Sequence, residues 1–547
     1  MPSEDQRVVH VPVGFGTAFQ ALEPGSRLLV FADYGTSMRR TMTTRIQQPG
    51  YMVPKFHKIM QKSVLYSSLA VALCAIQLVL GCLSAYGQKP NVIVILADDL
   101  GWADLPIYGN TFNEAPNLSR LAERGMTFSN AYAAAPVCSP TRASIMSGQY
   151  PARVGVIDFI PGHWRPYEKV IVPTNKTQFL PGEITTMGEM MKAAGYTNGY
   201  FGKWHLGFQQ GCHPFDQGFD EAYCADGGFY NPKFTPALEP PPQGRFSDII
   251  TDMGVDFIQR NSDSPFFLFL GHYDVHVQLN ADKPLIEKYL EKMPAAGYPS
   301  NAVYAAMIEH LDNSVGRVIE TLDSLGLSDN TLIVFYSDNG GLNRRFDRIP
   351  LLDKAVEHFY EGDSLQYVAS SNAPLSGEKG SLYEGGIRVP LIISWPEKVL
   401  CGTESDAMVT SPDLYATLGD LVGAPLPAKQ EMDGISLRRT LLTGKEPAGR
   451  TLFWHYPVYH HSTPASAVRK GDWKLIEFYE DNSIELYNLK KDIGETENLA
   501  GKRKRKATEL RSLLHEWRRA VAAELPVANP AFDAARREQW GIHPDRK

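Results

Sequence analysis

Four stretches of the chain are short and apolar almost without interruption: Asn91–Ala97 (NVIVILA), 265–270, 331–336 (TLIVFY) and 390–394. Runs of this length, rich in β-branched residues, predict strands covered on both faces, as in a parallel sheet. Between them the period becomes helical over 117–124, 186–194 and 305–325, with Gly326 as a stop after the last. Strands alternating with helices predict an α/β fold: a large mixed, mostly parallel sheet flanked by helices. Past Gly444 the pattern shortens. Thr451–Tyr456, 467–468, 474–479 and 483–489 read as strands between turns, then a helix over 507–525. That pattern predicts a smaller C-terminal antiparallel α+β domain.

One stretch, 64–83, is apolar enough to enter a bilayer, behind His57, Lys58 and Lys62. Its length also admits a transmembrane anchor. Ser67, Ser68 and Gln77 dilute it, and Ala85 and Gly87 satisfy the small-x-small rule, so the reading is a signal peptide cleaved after Gly87. Cys82 after Leu80-Gly81 makes only a poor lipidation box, the lesser alternative. Since 59 residues precede Met60, the expected start is Met60, with 1–59 a leader outside the working protein. The expected divisions are then 60–87 signal, 88–444 main domain and 445–547 C-terminal subdomain. A secreted or periplasmic location follows, without stable membrane insertion.

Composition narrows the function. With 54 basic and 61 acidic residues the net charge is −7, the wrong sign for a nucleic-acid partner. A chain that is 43% hydrophobic and 21% charged is neither disordered nor low-complexity. Six cysteines are too few for a disulfide-built scaffold in 547 residues. Of the four beyond the leader (Cys138, Cys212, Cys224 and Cys401), Cys212 and Cys224 are close enough in sequence to pair in an oxidising compartment.

Two apolar strands end alike: Asp98-Asp99 follow NVIVILA, and Asp338-Asn339-Gly340 follow TLIVFYS. Ligands of open α/β sheets bind outside the carboxyl ends of strands. Three carboxylates and an amide oxygen there suit calcium or magnesium rather than zinc. Taken singly, each pair is an ordinary turn or helix cap. Cys138-Ser139-Pro140-Thr141-Arg142 places a cysteine at a helix start, where backbone N–H groups favour an anion. The Cys138–Arg142 spacing is too short for a cysteine-phosphatase loop; a buried structural cysteine is the plain alternative. In Gly202-Lys203-Trp204-His205-Leu206-Gly207, an extended backbone would point Lys203 and His205 the same way. Lys379 lies in SGEKG, and His276 follows the strand FFLFL within His272-Tyr273-Asp274-Val275-His276. Cations and proton carriers beside a hard-metal site suit transfer of a tetrahedral oxyanion.

These blocks stand in the order found in type I sulfatases of the alkaline-phosphatase superfamily, which the chain resembles over 91–498. CSPTRASIMSG (138–148) resembles the family signature, and GKWHLG, SDNGG and YEGGIRVP resemble three further blocks. RKGDWKLI and ELYNLKKDIGETENL are similar to its C-terminal domain. The resemblance makes 88–444 the catalytic domain. It implies that a maturation enzyme oxidises Cys138 to formylglycine, which works as its hydrate. It also implies that Asp98, Asp99, Asp338 and Asn339 hold one calcium ion (Ca2+) against the sulfate and residue 138. Arg142, Lys203 and Lys379 would bind charged oxygens, His276 would protonate the leaving oxygen, alone or with Lys379, and His205 would deprotonate the hydrate. The implied substrate is a sulfated small molecule or glycan. Phosphate or phosphonate monoester hydrolysis, or an inactive binding protein with Cys138 unconverted, are the alternatives on this fold.

Two departures bear on the expectations. Val277-Gln278 follow His276 where the family often carries a proline, which leaves His272 as a competing acid. The segment 342–374 is longer than usual and carries Arg344, Arg345 and Arg348. It is expected to form a substrate-side lid, with Arg344 and Arg345 binding an anionic or sugar substrate.

Overall fold

A computed structural model describes residues 89–209, 211–345 and 349–541, together with a pair of short strands, Arg27–Val30 and Met42–Arg45. Met1–Gln88 and Lys89–Lys547 are separate compact units. The expected signal peptide, its start at Met60 and Cys82 lie outside the described residues, as does Arg348. Among the described residues, no helix is long and apolar enough to cross a membrane.

The second unit is built on an eight-stranded sheet. In chain order its strands are β1 (Asn91–Ala97), β2 (Gly125–Phe128), β3 (Thr197–Gly202), β4 (Glu221–Cys224), β5 (Phe266–Gly271), β6 (Thr331–Ser337), β7 (Leu391–Ser394) and β8 (Thr403–Ser405). They lie in the order β8-β2-β7-β6-β1-β5-β3-β4. From β6 to β4 all neighbours are parallel, and β7 runs antiparallel to both β6 and β2. The large mixed, mostly parallel sheet expected from the apolar runs is therefore present.

The unbroken apolar character of β1 has a direct cause. Ile93, Ile95 and Ala97 face one core, with the helices α1 (Pro116–Glu123), α4 (Phe246–Arg260) and α5 (Ala302–Ser324). Val92, Val94 and Leu96 face the other, beneath α2 (Cys138–Ser147), α3 (Met187–Ala193) and α6 (Pro412–Val422). Neither face meets water, so neither carries polar residues. The predicted helix starts are also chemical. Asn301 caps α5 by accepting from the Val303 and Tyr304 amides, and Thr186 with Glu189 forms a capping box on α3.

The C-terminal sheet is antiparallel, as expected: β9 (Thr451–Tyr456), β10 (Ala465–Lys470), β11 (Trp473–Phe478) and β12 (Ile484–Asn488), in that order, followed by α7 (Lys504–Ala520). Leu510 and Leu514 of α7 pack on Val468 and Leu475. A buried ion cluster ties this sheet to the main one. Lys474 Nζ sits 2.9 Å from both Glu384 and Glu495, with all three side chains fully buried.

One expectation fails. Cys212 and Cys224 are both buried and unpaired. Cys224 ends β4 inside the core, whereas Cys212 lies in a loop whose carbonyl accepts from Trp204 Nε1. The 342–374 segment, expected as a substrate-side lid, is anchored in the core over part of its length. Leu351, Leu352, Val356, Tyr360 and Ala369 are buried in the α4–α5 core, and Asn301 Nδ2 holds the Leu365 and Val368 carbonyls.

Candidate active site

Register creates the site. Ser337 of β6 lies opposite Ala97 of β1, so Asp338 and Asp98 leave adjacent strand ends side by side. Gly202 of β3 pairs with Gly271 of β5, so Lys203 and the His272–His276 loop emerge at the same edge. Asp98, Asp99, Asp338, Asn339, Cys138, Arg142, Lys203 and Lys379 are all buried there.

The arrangement balances charge. Lys203 Nζ donates to Asp98 Oδ2 at 2.5 Å, and Lys379 Nζ reaches both Asp99 oxygens at 2.7 Å. Arg142 binds Asp338 through Nε at 2.8 Å and the Lys203 carbonyl through a second nitrogen at 2.7 Å. The Lys203 ammonium and the other cations hold the Asp98 carboxyl well below its ordinary range, against the opposing effect of burial. Burial and the neighbouring Asp98 push Asp338 upward despite Arg142. Burial also pushes the Cys138 thiol up, and its Sγ donates to Asp98 Oδ1 at 3.4 Å. Cys138 is only 1% exposed.

The local backbone explains the motifs. Cys138 opens α2, with Pro140 in the first turn, where a proline removes no helical hydrogen bond. Gly340 packs so tightly that a Cβ there would lie 1.9 Å from the Gly385 carbonyl oxygen. The SDNGG and YEGG blocks are therefore one contact. Asp99 and His205 take left-handed φ values of 61° and 59°, a strain that clusters at functional sites.

The histidines separate by geometry. His276 Nε2 lies 3.1 Å from Lys379 Nζ and 3.6 Å from Asp99, while Nδ1 meets the Val277 carbonyl at 2.5 Å. Burial, then Lys379, lowers its pKa to about 4, so neutral Nε2 accepts from Lys379. His272 points away: fully buried, it bonds Ser314 on α5 through Nε2. The competing assignment of His272 is thereby removed. His205 lies at the site, but not by strand alternation, because β3 stops at Gly202 and His205 sits in a left-handed turn. Its Nε2 meets the Ile160 carbonyl at 2.6 Å, and its buried Nδ1 has no hydrogen-bond partner. Arg344 is exposed and Arg345 half-buried. The Arg344 amide is tied to Glu378, beside Lys379.

Sequence reasoning missed two residues. Asp226 accepts the Trp204 and His205 amides at 3.1 and 2.8 Å, fixing the His205 turn. It follows β4 as Asp98 follows β1, which was the available signal. Tyr273 stacks on His276 at 5.0 Å and faces Lys203 Nζ at 5.3 Å.

The residues also fit a hard divalent cation. Asp98, Asp99, Cys138 and His276 each offer a ligand atom within 4.8 Å of the others. Asn339 Oδ1, buried beside them, has no hydrogen-bond partner and is a spare hard oxygen. Carboxylates at adjacent strand ends, an anion-favouring helix start and three buried cations define a phosphatase- or sulfatase-like centre of the alkaline-phosphatase superfamily.

Comparison with known proteins makes the class specific. The sulfatase family model matches residues 90–424, and the C-terminal model of N-sulphoglucosamine sulphohydrolase matches 377–521. A sulfatase of Formosa agariphila is 33% identical, covering 75% of this chain and 84% of its own. The N-acetylgalactosamine-6-sulfatase of Rattus norvegicus is 30% identical, covering 80% and 82%. The crystal structure of Ps i-CgsB in complex with k-i-k-neocarrahexaose matches with a TM-score of 0.66 and 26% identity, over 82% of this chain and 96% of that one. The chain belongs to the sulfatase family and is a sulfuric ester hydrolase.

Proposed function

We propose that the chain hydrolyses sulfate monoesters of carbohydrates, with formylglycine made from Cys138 as nucleophile and one calcium ion held by Asp98, Asp99, Asp338 and Asn339. The observation that carries this reading is the convergence of Cys138, those oxygen donors, and Arg142, Lys203 and Lys379 in one buried cluster. The carbohydrate part is supported by what the similar proteins are named for or bind: N-acetylgalactosamine-6-sulfatase and a neocarrahexaose complex.

Bound calcium would neutralise charge on the sulfate oxygens. Conversion of Cys138 would supply an oxygen nucleophile at a helix N-terminus. Lys203 and Lys379 donate N–H bonds to the sulfate oxygens, and Arg142 stabilises the charge on the opposite side. The Lys379–His276 pair delivers a proton to the leaving oxygen, Lys379 donating and His276 Nε2 steadying it. His205 Nδ1 accepts the proton released at residue 138. Arg344 and Arg345 contact the rest of an anionic or sugar substrate. Export through the 60–87 segment and maturation by a formylglycine-generating enzyme belong to the same proposal.

The test is release of inorganic sulfate from a panel that includes N-acetylgalactosamine 6-sulfate and sulfated galactan oligosaccharides, with matched phosphate esters. Turnover of at least one sulfated saccharide above its phosphate counterpart is expected. Phosphate esters turning over faster would overturn the reading in favour of a phosphomonoesterase.

A further inference from the structure

Charge is unevenly divided along the chain. Residues 445–547 hold 19 basic against 15 acidic side chains, whereas 1–444 hold 35 against 46. Much of the C-terminal basic charge gathers on α7. The run Lys502-Arg503-Lys504-Arg505-Lys506 opens that helix, with no acidic residue in its first turn. Cations there oppose the helix dipole, so helix stability gives no reason for the run. Lys502 and Lys506 pair with Glu497 and Glu509. Arg503, Lys504 and Arg505 are exposed, and among the described residues their side chains have no ion-pair or hydrogen-bond partner. The same holds for Arg519 at the far end of α7.

Helical spacing turns these charges into a stripe. Lys504, Thr508, Arg511, His515 and Arg519 follow one another at intervals of three or four residues and so share one face. From Lys504 to Arg519 that face is roughly 22 Å long. Arg511 and His515 also line a cavity of about 530 Å³, with Lys169, Glu477, Glu480 and Leu525. Its carboxylates are hidden and its cations accessible. Glu477 and Glu480 expose 3% and 9% of their side chains, against 42% for Lys169 and 38% for both Arg511 and His515. Glu477 alone faces the guanidinium groups of Arg511 and Arg518, which leaves positive charge over.

This surface is no part of the catalytic pocket. Leu510 and Leu514 of α7 pack on Val468 and Leu475, whereas their strand neighbours Ala467 and Ile476 share a core with Leu382 and Ile387. The C-terminal sheet therefore stands between α7 and the SGEKG and YEGG blocks.

Resting on the reading that the substrate is a sulfated saccharide, we infer that Arg503, Lys504, Arg505, Arg511, His515 and Arg519, with the adjoining cavity, form a second, non-catalytic site for a sulfated polysaccharide chain. Such a polymer carries fixed negative charges at intervals along an extended backbone, the complement of cations spread along a helix face. Thr508 and Ser512, exposed between the cations, are polar, whereas a helix that lies in a membrane inserts apolar side chains. A chain held on α7 keeps its other sulfates at high local concentration around the catalytic pocket.

The test is calorimetric, on the full chain carrying Cys138→Ala so that no probe is consumed. The probes are a polymeric sulfated galactan, the same polymer desulfated, and inorganic sulfate. Arg503→Gln, Lys504→Gln, Arg505→Gln and Arg519→Gln, combined in one chain, place a good helix former at four exposed positions. Together they should weaken binding of the sulfated polymer at least tenfold and leave that of inorganic sulfate unchanged. With the four cations intact, polymer affinity should fall more steeply than the variant's as salt rises past about 0.15 M. Unchanged polymer binding in the variant, equal weakening of inorganic sulfate, or equal affinity for the desulfated polymer would overturn the site. Tighter binding to phosphatidylserine–phosphatidylcholine vesicles than to the polymer would overturn it in favour of a membrane surface. Failure of the converted parent enzyme to release sulfate from any saccharide would instead overturn the functional reading, on which the binding measurement does not depend.

Discussion

Asp226 provides the sharpest test of how the fold holds its chemistry. Its Oδ1 accepts the backbone amides of Trp204 and His205 at 3.1 and 2.8 Å, and among the described residues no other hydrogen bond holds His205 in its left-handed turn except that of Nε2 to the Ile160 carbonyl. Hydrogen bonds to a charged group contribute about 1.5–3 kcal/mol each. Asp226 is only partly buried, so the lower end applies, and two bonds give about 3 kcal/mol. That is roughly a hundredfold in the ratio of held to released turn. Asp226→Ala should lower unfolding free energy by about 2–3 kcal/mol in a urea titration. It should cut kcat on the best saccharide substrate at least tenfold, with a smaller change in KM, since the role proposed for His205 is to handle a proton rather than to bind substrate. Asp226→Asn keeps an acceptor oxygen and should recover most of both losses. A urea midpoint and kcat unchanged in Asp226→Ala would refute the claim that this carboxylate sets the turn.

Three further outcomes follow from the same structure. Lys474→Met strands Glu384 and Glu495 without their shared cation and should cost about 3–5 kcal/mol in urea unfolding, the usual loss when one partner of a buried ion pair is removed; a change under about 1 kcal/mol would contradict this. His455, buried between Ser466, Tyr479 and the Glu524 carbonyl, has its pKa lowered by burial to about 4. The unfolded chain therefore takes up that proton first, so stability is full above about pH 6.5 and declines as pH falls toward 4; urea midpoints should show a shallower decline in His455→Gln. Calcium at about a hundred times its Kd should stabilise the fold by about 2.7 kcal/mol in a thermal-shift assay, and Asp338→Asn should abolish most of that gain.

Much of this architecture is legible in the chain. Continuous apolar runs gave the parallel strands because both faces of β1, β5 and β6 are covered, and the acidic residues after β1 and β6 marked the functional edge. What periodicity could not give was tertiary. His205 lies beyond the end of β3, where alternation stops applying. His272 and His276 are equivalent as text, and only the packing of α5 turns His272 toward Ser314. The 342–374 segment lacks regular periodicity because its apolar residues pack singly into a core made by other elements.

On the proposed function, sulfate hydrolysis depends on a modified residue 138 inside the cation-lined cluster. The most direct measurement follows inorganic sulfate release across preparations matured to different extents, with the converted fraction of residue 138 read from the mass of its peptide. Release should rise in proportion to conversion and vanish in Cys138→Ala. Equal release from protein in which every Cys138 is an unmodified thiol would contradict it.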